Sequence, residues 1–192
     1  SEEQFACGMG EVLKTGLIRD EKFYIWTINH MEPIMERVPA VLTKMIQKCC
    51  DIKRIVVEND PKEQGERAVL NLGHTVGHAI EKLKDFQLAH GQCVALGTVA
   101  AAYISFQRGY LSTEEFYEIR DMNVGFDLPI TFTGLNPEDI LAATKSDKKM
   151  ENGTVKFILL KSLGHAVVDH TVTDEELLEA INFINGDRID EE

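Results

Sequence analysis

His74 and His78 stand four residues apart, Arg67 and Asn71 lie just upstream, and His90 follows a short gap later. On one continuous helix, Arg67, Asn71, His74 and His78 fall at i, i+4, i+7 and i+11, which puts a cation, an amide and two imidazoles on one stripe. Imidazole is a common zinc ligand and guanidinium suits phosphate and carboxylate, so the stripe is fit for a metal, an anion or both. A catalytic zinc takes three protein ligands from histidine and carboxylate and leaves one position open. His90 offers a third imidazole from a second element. Glu11, with Lys14 one turn along the same face, is a candidate carboxylate, although Glu81, Glu66 and Glu63 are nearer in sequence. The plainer alternative is that a His pair at i, i+4 is an ordinary surface or core pair. Gly73 and Gly77, each costing ~1 kcal/mol relative to Ala inside a helix, imply a close-packed neighbour or ligand that offsets them.

The elements that must carry these residues are mostly helical in period. From Glu11, Val12, Leu13, Leu17 and Ile18 share one face; from Pro33 to Cys50, Ile34, Val38, Val41, Leu42, Met45, Ile46 and Cys49 recur at spacings of three and four. The small apolar segment 91–106 reads as a buried core helix, too short and too interrupted by polar residues to span a bilayer. Ser112 with Glu115 and Thr173 with Glu176 are capping boxes, and Asn136-Pro137 is an N-cap with proline at the first helical position. They predict helices at 113–122, 137–145 and 174–184. Alternation of Val155, Phe157 and Leu159, a turn at Ser162 to Gly164 and then Ala166 to Val168 predict a short β-hairpin near 154–169. The fold class is therefore mainly α, a bundle-like helical body bearing one hairpin. Gly8-Met9-Gly10 has no strand before it and is not a dinucleotide-binding turn.

A length of 192 residues gives room for one domain with a hydrophobic core or two small ones, and 44% apolar with 27% charged residues is an ordinary globular balance. The net charge of −12 argues against nucleic acid or an anionic membrane as a partner held by bulk attraction, so an anionic ligand needs a local basic pocket. Cys7, Cys49, Cys50 and Cys93 form no C-x-x-C pair and suggest neither a disulfide framework nor a cysteine zinc site, which fits a reducing cytoplasm. No signal-peptide pattern opens the sequence. Ser1 reads as preceding the interior of a helix, so a segment upstream is expected.

The run Arg67-x-x-x-Asn71-x-Gly73-His74-Thr75-x-Gly77-His78-Ala79-x-Glu81, followed by His90-Gly91, resembles the C-terminal domain of 3-dehydroquinate synthase. Gly8-x-x-Glu11-Val12-x-Lys14, Asp60-x-x-Glu63-x-Gly65-x-Arg67 and Asp147-Lys148-Lys149 resemble further motifs of that family, in its order. The resemblance implies one helical metal- and substrate-binding domain over residues 1–192, the family's N-terminal nucleotide-binding α/β domain being absent. It implies that Glu11, His74 and His90 bind a divalent metal, zinc first and cobalt second, and that His78 is not a ligand. Asn71 and His78 would hold the substrate phosphate, with His78 suited to assist its departure. Arg67 and Lys53 would hold the substrate carboxylate, and Lys14 would touch hydroxyls near the metal. Glu63 matches a carboxylate of the site. Lys148, in preference to Lys149, would reach an acidic group of the substrate. His78, Glu63 and Lys14 are thus the implied catalytic residues.

The implied reaction is NAD- and metal-dependent phosphate elimination and cyclisation of 3-deoxy-D-arabino-heptulosonate 7-phosphate to 3-dehydroquinate, a carbon–oxygen lyase step of the shikimate pathway. NAD would belong to the full-length enzyme, expected as a homodimer, and the isolated chain is expected to be inactive. Two positions depart from the family pattern: Gln92 replaces a glutamate beside His90, and Gly10 stands where alanine is usual. Other readings are another sugar phosphate cyclase, a metal-dependent alcohol or glycerol dehydrogenase relative, and a non-catalytic metal-binding module.

Overall fold

The computed structural model describes residues 1–62, 65–146, 150–151 and 154–187. Helix α1 (Glu2–Arg19) has Ser1 as its N-cap, the hydroxyl accepting from the Gln4 N–H at 3.3 Å. Asp20 ends α1 and caps α2 (Glu21–Asn29), its carboxylate accepting from the Phe23 N–H. The helical period running from Pro33 to Cys50 is split by the structure. Helix α3 (Met31–Met35) stops before Arg37, whose φ of 58° leaves the right-handed region, and Pro39 opens α4 (Pro39–Asn59).

Helix α5 (His74–Leu83) and α6 (His90–Gln107) form the centre. Leu96, Val99, Ala100, Ala101 and Ala102 of α6 are wholly buried, and α6 meets α1, α5, α7 (Thr113–Gly125) and α9 (Asp174–Phe183). Gly97 lets α5 and α6 approach: a Cβ there would lie 1.8 Å from the Gly73 carbonyl oxygen. Both capping boxes form as expected, at Ser112–Glu115 and Thr173–Glu176. Asn136 Oδ1 accepts from the Glu138 N–H at the start of α8 (Pro137–Ser146).

The hairpin lies within its predicted bounds but is shorter. Strands β1 (Met150–Glu151) and β2 (Thr154–Val155) pair with each other, and β3 (Phe157–Ser162) pairs with β4 (His165–Asp169) around Gly164, whose φ is 73°. Phe157, Ile158, Leu159 and Leu160 are all buried, so β3 is covered on both faces and its sequence alternation does not mark a wet side. Ser105 of α6 anchors it: its hydroxyl accepts from the Leu160 N–H at 3.0 Å and donates to the Ala101 carbonyl. Arg108, at the end of α6, donates twice to Glu176 at 2.7 Å and once to Asp169 at 3.1 Å, joining β4 and α9. No helix among the described residues is long and apolar enough to cross a membrane.

Candidate metal and anion site

The stripe from Arg67 to His78 is not one helix. Glu66–Asn71 is a 3-10 helix, Leu72 (ψ 130°) leaves the helical region, and Gly73 takes a left-handed conformation (φ 79°) as the N-cap of α5. Gly73 is therefore a cap, not a helix-interior residue, and the i, i+4, i+7, i+11 stripe does not exist. The reason is tertiary. A Cβ on Gly73 would fall 2.5 Å from Thr98 Oγ1 and 2.6 Å from the Val94 carbonyl, so only a glycine lets α5 begin against the flank of α6. Gly77 is truly inside α5 and faces the Cys93 backbone at 2.7 Å, the close-packed neighbour its sequence position implied.

The residues nevertheless converge. One cavity of about 540 Å³ is lined by Glu11, Lys14, Lys53, Arg67, Asn71, His74 and His90, drawn from α1, α4, the 3-10 helix, α5 and α6. Asp60 holds the approach to the 3-10 helix, its carboxylate accepting from the Gly65 N–H at 2.8 Å and the Arg67 N–H at 3.0 Å. This explains why an aspartate precedes Arg67 at that spacing. The Arg67 guanidinium donates to the Pro61 carbonyl at 3.2 Å.

His90 is brought back over α5 by a reversal in which Asp85 (φ 50°) and Phe86 (φ 57°) are both left-handed. His74, His78 and His90 then cluster: one ring nitrogen from each lies within 4.8 Å of the others. His78 also lines a neighbouring cavity of about 420 Å³, with Thr75, Glu81, Lys82 and Phe86. Glu63 and Lys148 lie outside the described residues, as does Lys149.

The electrostatics suit metal binding. Lys14, buried, sits 2.6 Å from Glu11 Oε2. The other carboxylate oxygen of Glu11 is buried with no hydrogen-bond partner, an acceptor left open in the cavity wall. Burial, reinforced by the Lys14 charge, pushes the His74 imidazole down to about 4, so at neutral pH it is the uncharged form a metal needs. Its Nδ1 lies 3.1 Å from the Leu72 carbonyl, which has only lone pairs to offer; Nδ1 therefore carries the hydrogen and Nε2 the lone pair.

Gln92, the departure from the family pattern, does not point at the ligands. Its Oε1 accepts from the Ala89 N–H at 3.0 Å and so caps α6, a task needing an acceptor but no charge. Gly10 sits 3.3 Å, measured from an added Cβ, from the Gly91 carbonyl, so an alanine there needs only a small adjustment.

Sequence reasoning missed Cys49 and Cys50, which line the main cavity; they lie four and three residues before Lys53 on α4, a helical spacing that was available. Burial pushes the Cys49 thiol up to about 11, so it is not a thiolate ligand at neutral pH.

The fold matches about half of each of two solved structures. A 2-epi-5-epi-valiolone synthase from Streptomyces hygroscopicus subsp. jinggangensis 5008, solved with NAD+ and Zn2+, superposes with a TM-score of 0.87 and 20% identity over 96% of this chain and 52% of its own. A 2-deoxy-scyllo-inosose synthase complexed with carbaglucose-6-phosphate, NAD+ and Co2+ gives 0.79 and 23% over 94% and 51%. At these identities the likeness is one of fold. The family follows from sequence: residues 8–150 match the 3-dehydroquinate synthase C-terminal family, and the chain belongs to it. Relatives named 3-dehydroquinate synthase include those of Nitrosospira multiformis, 38% identical over 97% of this chain and 51% of the relative, and of Coxiella burnetii, 42% identical over 92% and 50%. The chain thus spans about half the length of the curated relatives it matches.

Proposed function

We propose that this chain is the metal- and substrate-binding half of a 3-dehydroquinate synthase, acting in the conversion of 3-deoxy-D-arabino-heptulosonate 7-phosphate to 3-dehydroquinate with loss of phosphate. The observation that carries the reading is the single cavity in which Glu11, His74 and His90 meet Lys14, Lys53, Arg67 and Asn71. Three cations there give a local field for an anionic substrate on a chain whose net charge is −12.

The residues fit a divalent ion. Glu11 offers a buried, unpartnered oxygen, His74 is neutral with Nε2 available, and His90 stands across from it. A bound zinc or cobalt ion would polarise substrate oxygen, and NAD would take up and return a hydride. NAD is assigned to the part of the relatives that this chain does not span.

The chain's own side chains have separable tasks. Arg67 and Lys53 bind the substrate carboxylate, the guanidinium with its fixed fork of donors and the ammonium as a point charge. Lys14, held by Glu11, donates to substrate hydroxyls. Asn71 donates its amide to phosphate, and His78 supplies a proton to the departing oxygen from the adjoining cavity. Glu63 and Lys148 join the site as a carboxylate and a further cation. The whole enzyme is expected to be a homodimer.

One observation favours a second ligand set: the mutual approach of His74, His78 and His90 allows three imidazoles to share the ion with no carboxylate. Counting zinc per chain, in protein purified without a metal-binding tag, separates the two. With Glu11, His74 and His90 as ligands, about one ion per chain is lost in His74→Ala and His90→Ala and kept in His78→Ala. Loss in His78→Ala establishes the three-histidine set instead. Turnover by this chain alone, abolished in His74→Ala, would overturn the half-enzyme reading.

A further inference from the structure

The reversal that returns His90 over α5 also brings it onto Glu81, a carboxylate that the functions proposed above do not use. His90 Nδ1 lies 3.3 Å from Glu81 Oε2, at the long end of hydrogen-bond range. The Glu81 side chain is only 17% exposed and the His90 side chain 48%, so the carboxylate is the more enclosed of the pair. Glu81 is three residues beyond His78 on α5, whose backbone is fixed against α6 by Gly77. Its own carbonyl accepts from the Phe86 N–H at 3.0 Å, closing the turn through which the chain comes back to His90. Glu81 is therefore an acceptor on a tightly seated backbone, standing beside the more exposed imidazole.

We infer that Glu81 is the positioning residue for His90: it takes the hydrogen on Nδ1, selects that tautomer and leaves the Nε2 lone pair for the metal. A carboxylate has no proton to give, so the contact requires Nδ1–H. The arrangement repeats what Leu72 does for His74, where a backbone carbonyl accepts from Nδ1. Both histidines of the proposed ligand set are thus held in the same tautomer by acceptor-only oxygens, one from the main chain and one from Glu81. Acceptors of this kind orient metal-bound imidazoles and raise their basicity, and their removal weakens metal affinity ~10–100-fold. The same logic separates Glu81 from Gln92: both lie near His90 in sequence, but Gln92 is committed to the Ala89 N–H.

The inference rests on His90 being a metal ligand, and its test separates the two ideas. In metal-free protein at about pH 8.5, two units above the ordinary imidazole value, two-bond proton–nitrogen-15 spectra of the parent should show His90 with Nδ1 protonated. In Glu81→Ala that ring should shift to a population dominated by Nε2–H, the form free imidazole prefers, while Glu81→Gln, which keeps an acceptor, restores Nδ1–H. Zinc affinity, read by competition with a chromophoric chelator, should fall ~10–100-fold in Glu81→Ala and recover most of that loss in Glu81→Gln. A purely structural role would lower the melting temperature without moving the tautomer. His90 still protonated at Nδ1 in Glu81→Ala, or zinc affinity within twofold of the parent, overturns the inference. A parent that binds no zinc defeats the proposed ligand set, and the tautomer in that same metal-free chain still decides Glu81.

Discussion

Gly97→Ala is the substitution whose outcome the structure fixes most tightly. The added Cβ would sit 1.8 Å from the Gly73 carbonyl oxygen, 2.7 Å from the Gly73 carbonyl carbon and 2.9 Å from the Gly77 nitrogen. All three are backbone atoms, so no side-chain rotation relieves the clash, and α5 must retreat from α6 by about 1.5 Å to restore van der Waals separation. Alanine gains ~1 kcal/mol over glycine in a helix. Overpacking a dense interior costs typically ~1–3 kcal/mol and occasionally more; here the obstacle is rigid main chain, which puts the cost at the upper end, ~3 kcal/mol, and leaves a net loss of ~2 kcal/mol after the alanine gain. The displaced residue, Gly73, immediately precedes His74, and metal–ligand distances tolerate only about 0.2 Å. Zinc affinity should therefore fall together with stability. Urea denaturation followed by circular dichroism measures the first and chelator competition the second. Gly8→Ala is the control: it lies in α1 with nothing within 4 Å of an added Cβ, so it should be neutral or stabilise by up to ~1 kcal/mol. A Gly97→Ala chain with the parent's denaturation midpoint and zinc affinity would refute the account of how α5 and α6 are spaced.

Other tests address the hairpin and its anchor. Ser105→Ala leaves the Leu160 N–H without its acceptor inside the core and should cost ~1–3 kcal/mol, measured by the same denaturation, with zinc content unchanged. Arg108→Ala removes the clamp between α6, β4 and α9 and should flatten the acid side of the stability profile. Hydrogen bonds from Arg108 hold the Glu176 carboxyl below its usual range; at Asp169 bonds from Thr171 and Arg108 overcome the opposing effect of burial. Because both folded values lie below the unfolded ones, their stabilisation is complete above the ordinary carboxylate range. It fades as pH falls through the folded values. Thermal melts between about pH 2 and 7 should show a shallower acid decline in Arg108→Ala than in the parent, and an unchanged slope would refute the linkage.

Where structure was legible in the sequence, the cause was local. The boxes at Ser112–Glu115 and Thr173–Glu176 and the cap at Asn136 are satisfied within three residues, so spacing alone fixes them. Several coincident motifs likewise identified the family, because their order and distances constrain one another. What escaped was set by contacts far along the chain. The break between the 3-10 helix and α5 follows from Val94 and Thr98 crowding Gly73, and neither is visible in the period of residues 67–78. The split between α3 and α4 turns on one backbone angle at Arg37. Glu81 read as a possible ligand by proximity, whereas the turn at Asp85 and Phe86 makes it a partner of His90.

The close seating of α5 on α6 has a consequence for how such a site can diversify. His74 and His90 hang from two helices whose separation is set by main chain against main chain, while Lys53 and Arg67 come from α4 and the 3-10 helix at the cavity's other walls. The imidazole pair and the cationic wall are thus built from different parts. Under the proposed function, exchanging side chains on α4 would retune which acid is accepted without altering the distance between the imidazoles. Altering the helix contact would, under the same proposal, disturb the ion whatever the substrate. A library confined to Cys49, Cys50 and Lys53 should accordingly spread in ligand preference while its members keep one common zinc affinity.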